Sequence, residues 1–158
     1  MTAALTQIEH SPSASSAKPE ILFLSSEEIP AWSERLRPWL EKVLVLNRNC
    51  FTADDVLAIA EKDEGFFLFA AVAPEDGRCI AVMVVEWVTY PRKVCARILM
   101  IAGEQMWRWI DHLSVIEKWA EMAGADALTI EGRKGWGRIL GDGYKPAYSV
   151  WEKEFHNG

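Results

Sequence analysis

The chain has 158 residues, half of them apolar and a quarter charged, which suits one globular domain with a single core and excludes a wholly disordered chain. A formal net charge of −6 argues against a general nucleic-acid-binding surface, which is built on clustered Lys and Arg. Cys50, Cys79 and Cys95 lie far apart with no C-x-x-C pair, so neither a disulfide scaffold nor a zinc site is expected, and a reducing compartment fits.

Residues 1–19 lack the basic start and continuous apolar stretch of a secretory signal, and Ser11 to Pro19 is small, polar and proline-punctuated. A flexible tail over 1–19 is therefore expected, followed by a single domain over 20–158. No segment approaches the roughly 20 apolar residues of a membrane span, so a cytoplasmic chain without membrane contact is expected. Ile21 to Leu24 reads as a buried strand, and Ser25-Ser26-Glu27-Glu28 as a helix start. Trp32, Leu36, Trp39, Leu40 and Val43 follow at helical spacing, with Pro38 expected to kink or restart the helix. Thr52-Ala53-Asp54-Asp55 predicts an N-cap for a short helix carrying Val56, Ile59 and Ala60 on one face, ended by Glu64-Gly65.

Phe66 to Ala73 and Cys79 to Trp87 are apolar, β-branched and aromatic runs joined by the turn-rich Pro74 to Arg78; with Val94 to Ala102 they predict a three-strand antiparallel meander. From Gln105 to Ala123 the apolar residues Met106, Trp109, Ile110, Leu113, Ile116 and Ala120 recur every three or four positions, which predicts one amphipathic helix ended by Gly124. Ala127 to Ile130 predicts a strand parallel to the one before that helix. Gly132 to Gly143 leaves room for a short helix at most, and Tyr148 to Phe155 predicts a final strand. The eight Trp permit an aromatic groove or an oligomer interface as well as a filled core.

The order strand, two helices, antiparallel meander, long helix, strand, short helix, strand resembles that of the GNAT superfamily of acyl-CoA-dependent N-acyltransferases. The likeness is carried best by Val94 to Ala102 with the helix after it, by Gly124 to Glu131, by the corner Arg138-Ile139-Leu140-Gly141-Asp142-Gly143-Tyr144, and by Val150 to Phe155. It implies an α/β domain of the α+β type: a mixed, mostly antiparallel sheet of about six strands flanked by helices. Gly132-Arg133-Lys134-Gly135-Trp136-Gly137-Arg138 further resembles GNAT-like proteins of tailed bacteriophages, some encoded near virion genes, which need not be transferases. This resemblance implies the host cytoplasm or the virion as the setting, and a protein partner or a homo-oligomer.

The family binds the pyrophosphate of acetyl-CoA on backbone N–H groups at the start of the long helix, in a pattern of Gln or Arg, two residues, Gly, one residue, then Gly or Ala. By resemblance the acyl-CoA cleft falls on Ile101, Ala102, Gly103, Gln105, Trp107 and Arg108. Glu104 then takes the Gln/Arg position and Trp107 and Trp109 the small ones. A register moved by one residue substitutes Gln105, Arg108 and Ile110. Two indoles would fill the phosphate space, and Glu104 would repel a phosphate about 4 Å away by roughly 4 kcal/mol at an effective dielectric of 20. Acetyl-CoA binding is therefore doubtful.

The tyrosine that many relatives place four residues before the corner glycine is replaced by Ile139, counting back from Gly143. Tyr144 reads as a packing residue with its hydroxyl at the edge. Glu86, near the end of a meander strand, is either a general base with a raised pKa or a solvated strand-end residue. His112 beside Asp111 lacks a nucleophile motif and reads as a surface histidine. Arg133, Lys134, Trp136 and Arg138 form the densest basic and aromatic patch, suited either to an acidic partner or to capping a turn. No metal site is expected.

Overall fold

The computed structural model describes residues 17–46, 50–132 and 134–156, and side chains over the same residues except Lys134. Residues 1–16 of the expected tail, with His10, and Arg133 of the basic patch lie outside the described residues. Of the rest of that tail, Pro19 is buried.

Strand β1 (Glu20–Leu24) leads into helix α1 (Ile29–Leu44) and helix α2 (Ala53–Glu61). The meander β2 (Phe66–Val72), β3 (Cys79–Tyr90) and β4 (Lys93–Gly103) follows, then helix α3 (Met106–Trp109), a 3-10 turn over Ile110–Leu113, helix α4 (Ser114–Met122) and strand β5 (Ala127–Ile130). The sheet order is β1-β2-β3-β4-β5, with antiparallel neighbours throughout except the parallel pair β4 and β5.

Period-two alternation sorts the strands' side chains onto two cores. Leu68, Ala70, Val82, Val84, Met100 and Ala102 face α1 and α2, whose Leu36, Leu40 and Val56 are fully buried. Phe69, Met83, Val85, Ala96 and Ile98 face the other way, onto Trp109, Leu113, Ile116 and Ala120. Trp119 of α4 closes that side with a cluster of rings from Phe23, Phe67, Phe69 and Trp87. Trp87, Trp109 and Trp119 thus pack on this core and Trp32 and Trp39 on the other, so five of the eight tryptophans serve packing.

Local chemistry explains where elements start. The Thr52 hydroxyl accepts from the Asp55 N–H at 3.1 Å while the Asp55 carboxylate accepts from the Thr52 N–H at 2.8 Å, a reciprocal capping box. At α1 the expected hydroxyl cap is inverted: the Glu28 carboxylate accepts from both the N–H and the hydroxyl of Ser25. Helix α1 runs through Pro38 unbroken, because Pro38 and Glu34, whose carbonyl loses its bond, both lie on the exposed side where water can replace it.

The structure corrects two expectations of secondary structure. The sheet has five strands rather than about six. The difference is Tyr148 to Phe155, which forms no strand among the described residues and leaves Tyr148, Val150, Trp151 and Phe155 exposed. Alternating apolar residues become a strand only where a sheet edge supplies hydrogen bonds. The single long helix of 105–123 is divided into α3, the 3-10 turn and α4. Its apolar periodicity survives because both helices dock on one face of the sheet, but the first turns are reshaped by the contacts of Arg108 and Trp109 described below.

Candidate functional site

The end of β4 and the loop into α3 hold the residues expected to form the cofactor cleft. Strand β4 pairs with β5 only from Cys95 to Ile98, and Glu131 N–H closes the last bond on the Ile98 carbonyl at 3.0 Å. A bulge in the β3–β4 ladder falls at Leu99, between the pairs Val85↔Ile98 and Val84↔Met100. Beyond it β4 continues to Gly103 on the β3 side alone, so β4 and β5 part there. Ile101 is half-buried and Ala102 faces α1 and α2.

Gly103 is glycine for a reason unrelated to phosphate: a Cβ there would overlap the Ala81 Cβ and come within 2.6 Å of the Ile80 carbonyl oxygen. Glu104 N–H donates to that same carbonyl at 2.8 Å, pinning the loop to β3. The Glu104 carboxylate pairs with Arg78 at 2.5 Å, so its charge is compensated within the chain. Gln105 is left-handed, at φ 53°, a conformation that costs a non-glycine residue roughly 1–2 kcal/mol.

The two indoles separate. Trp109 is 2% exposed, packed beneath the sheet, and its indole N–H donates to the Glu104 carbonyl at 2.9 Å. Trp107 is 68% exposed and points away from the core. Trp109 therefore stabilises the inside of the loop, while Trp107 does not fill a crevice. Arg108 is drawn inward between them, with its side chain 4% exposed. Its guanidinium donates to both carboxylate oxygens of Glu75 at 2.7 and 2.8 Å, to the Gln105 side-chain carbonyl at 2.8 Å, and to the Ala17 carbonyl at 3.3 Å. Its Nε has no partner among the described residues. The bonds from Arg108 hold the Glu75 carboxyl well below the usual range, at about 2.

These residues do not fit acetyl-CoA in the family's manner. The helix that would present N–H groups to a pyrophosphate is four residues long, its small residues are Trp107 and Trp109, and the nearest cation is held by Glu75.

On the sheet face that α1 and α2 cover, Glu86 of β3 lies opposite Arg97 of β4. The Arg97 guanidinium sits 3.5 Å from both the Glu86 and the Glu131 carboxylates and donates to the Tyr90 hydroxyl at 3.3 Å. Burial works against the charge on Arg97, but Tyr148, Glu131, Glu86 and Tyr90 outweigh it and hold its pKa above the ordinary arginine value. Glu86 is therefore neither free nor simply solvated. It shares one guanidinium with Glu131.

The remaining candidates are dispersed. The 3-10 turn Lys134–Arg138 places Trp136 on Gly132, so tightly that a Cβ at Gly132 would overlap the indole. The Trp136 carbonyl accepts from Ile139 and Leu140 N–H at 3.0 and 2.9 Å, so Trp136 organises the turn, whereas Arg138 is exposed. The Tyr144 hydroxyl donates to Glu117 at 2.5 Å; burial first, then that bond, push its pKa well above the ordinary phenol value. Ile139, partly exposed, supplies no proton. Among the described residues no group of three or more His, Cys, Asp or Glu could hold a metal ion. Two open clefts of about 340 and 330 Å³ lie between α4 and β5 and beside the α1–α2 connection, and neither is lined by the β4–α3 loop, Glu86 or Arg97.

Sequence reasoning missed Glu75, Arg78, Arg97 and Glu131. Arg97 had a signal, a lone cation inside an apolar strand. Glu75, 33 positions from Arg108 in a stretch that reads simply as a turn, had none.

No protein-family model matches the sequence, and no curated protein matches it. Solved structures do. The chain is similar to a GNAT family acetyltransferase of Staphylococcus aureus subsp. aureus (13% identity, TM-score 0.59, covering 88% of this chain and 100% of that one). It is likewise similar to a ribosomal-protein-alanine N-acetyltransferase from Brucella melitensis biovar Abortus 2308 (15%, 0.63, 87% and 99%). A third is the aminoglycoside N-acetyltransferase AAC(6')-Iy in complex with CoA (12%, 0.59, 86% and 93%). The chain therefore has the GNAT acetyltransferase fold, as the resemblance implied; at such identities the likeness carries the fold alone.

Proposed function

We propose that this chain is a GNAT-fold protein whose acyl-CoA site is degenerate, and that it works by binding a protein partner or its own copies rather than by acetyl transfer. The observation that carries this reading is the closure of the β4–α3 loop: Arg108, the one cation in the loop, is taken up by Glu75, and Trp109 is built into the core. Arg138, which is exposed, belongs to the basic and aromatic run Arg133, Lys134, Trp136 and Arg138 whose sequence suits an acidic partner. A virion or assembly component of a tailed phage, in the host cytoplasm or the particle, is the setting suggested by the likeness of Gly132 to Arg138 to phage GNAT-like proteins, and it rests on that likeness. Among the described residues no helix is long and apolar enough to cross a membrane.

A second reading is an acetyl-CoA-dependent N-acetyltransferase with an atypical loop, in which Glu86 serves as the base. It is favoured by the parting of β4 from β5 after Ile98, which leaves one edge of β4 unpaired among the described residues, and by the similarity to a protein solved with CoA. The two readings differ in one assay. Thiol release from acetyl-CoA in the presence of simple amines, aminoglycosides and peptide N-termini should stay at the uncatalysed rate for wild type, and turnover lost in Glu86→Gln would establish the second reading instead.

A further inference from the structure

Arginine's planar fork holds a carboxylate or a phosphate by two parallel charge-assisted bonds, and that geometry is satisfied here by a residue from a distant turn. Glu75 sits between β2 and β3, in Pro74 to Arg78, and both of its oxygens meet Arg108 at the start of α3. Gln105 adds its side-chain carbonyl to the same guanidinium and adopts a left-handed backbone next to it. Arg108 is almost fully buried, yet its Nε is unpartnered among the described residues, whereas the Glu75 side chain is about one-third exposed, at 31%. The cation is thus fixed in the protein, and its counter-ion comes from the solvent side on a turn whose Gly77 has φ 71°.

We propose that Glu75 is a built-in occupant of an oxyanion seat formed by Arg108, carried there on the β2–β3 turn. The seat takes a small external oxyanion, carboxylate or phosphate, when Glu75 is removed. The same turn is tied down a second time, since Arg78 pairs with Glu104 at 2.5 Å and the Gly77 N–H donates to the Ala73 carbonyl at 2.8 Å. Turn and loop are therefore joined by two ion pairs, which hold the seat in shape. Glu75 thus takes the place of an external anion on Arg108, whether or not the wild-type chain binds acetyl-CoA elsewhere.

The test is anion rescue of the full chain, read as the unfolding temperature. Glu75→Ala leaves a buried guanidinium without its counter-ion, so it should melt below wild type. Sodium acetate should raise its Tm by about 3–6 °C at tenfold above the Kd, relative to chloride at equal ionic strength, while wild type is unmoved. Inorganic pyrophosphate forms the second arm: rescue by acetate alone assigns a carboxylate-sized seat, and rescue by both assigns a seat open to phosphates. Glu75→Gln, which keeps the side-chain volume, should show a smaller rescue, and it serves if the alanine variant does not fold. Glu75→Ala/Arg108→Gln should show none. Equal anion response in wild type and Glu75→Ala, or a folded Glu75→Ala or Glu75→Gln that neither anion stabilises, overturns the proposal. Saturable acetyl-CoA binding by wild type would instead overturn the proposed function.

Discussion

Replacing Trp109 and Trp107 separately by alanine separates a buried position from a surface one, because the two residues stand two positions apart in the same stretch after β4. Trp109 is 2% exposed and its indole N–H bonds the Glu104 carbonyl at 2.9 Å. Its removal deletes a full buried ring and leaves a cavity beneath the sheet, a loss of about 3–5 kcal/mol. Set against a total stability of about 5–15 kcal/mol for a domain of this kind, that is a large fraction. With an m-value of about 2 kcal/mol per molar urea, the midpoint should fall by about 1.5–2.5 M. Trp107 is 68% exposed at a helical position, where alanine is the better helix former, so Trp107→Ala should change stability by about 0.5 kcal/mol or less. Urea titrations followed by far-ultraviolet circular dichroism measure both. Equal shifts in the two variants, or a larger one at Trp107, would refute the assignment of Trp109 to the core and Trp107 to the surface.

Gly103→Ala should destabilise by about 1–3 kcal/mol, since the added Cβ meets the Ile80 carbonyl at 2.6 Å in backbone that cannot yield, whereas Gly143→Ala, with open space around it, should be near neutral in the same titration. Thr52→Ala should cost about 1 kcal/mol through loss of the capping box on α2, visible in thermal melts. The Glu75 carboxyl is depressed to about 2 from an ordinary 4.5, so the folded state binds its proton less readily than the unfolded one. Stability from this group is fully present above about pH 4.5 and is lost as pH falls toward 2. Glu75→Gln should therefore flatten the acid limb of the stability curve over that window, and a wild-type and variant curve of equal slope there would contradict the Glu75–Arg108 pairing.

Much of the architecture was legible because it rests on local periodicity. The runs Phe66 to Ala73, Cys79 to Trp87 and Val94 to Ala102 are near-continuously apolar, as strands with two buried faces should be, and Thr52 with Asp55 announces its helix. The final strand was not legible. Tyr148 to Phe155 has the composition of a strand, but pairing depends on an edge elsewhere in space, which residues 148–155 do not encode. At the loop, the departure of Trp107, Trp109 and Glu104 from the pattern the resemblance implies was legible, but their surroundings were not. Glu104 has Arg78 beside it, Trp109 lies in the core and Trp107 on the surface. The closure comes from Glu75, whose contact with Arg108 spans 33 positions and follows from how the β2–β3 turn folds over the end of β4.

Isothermal titration of acetyl-CoA into the wild-type chain at neutral pH tests the central claim most directly. With Arg108 held by Glu75 and the helix start reduced to one turn, no saturable heat should appear up to millimolar ligand. Saturable binding at micromolar acetyl-CoA would contradict the account, since such affinity requires an open seat for the pyrophosphate that this loop does not provide.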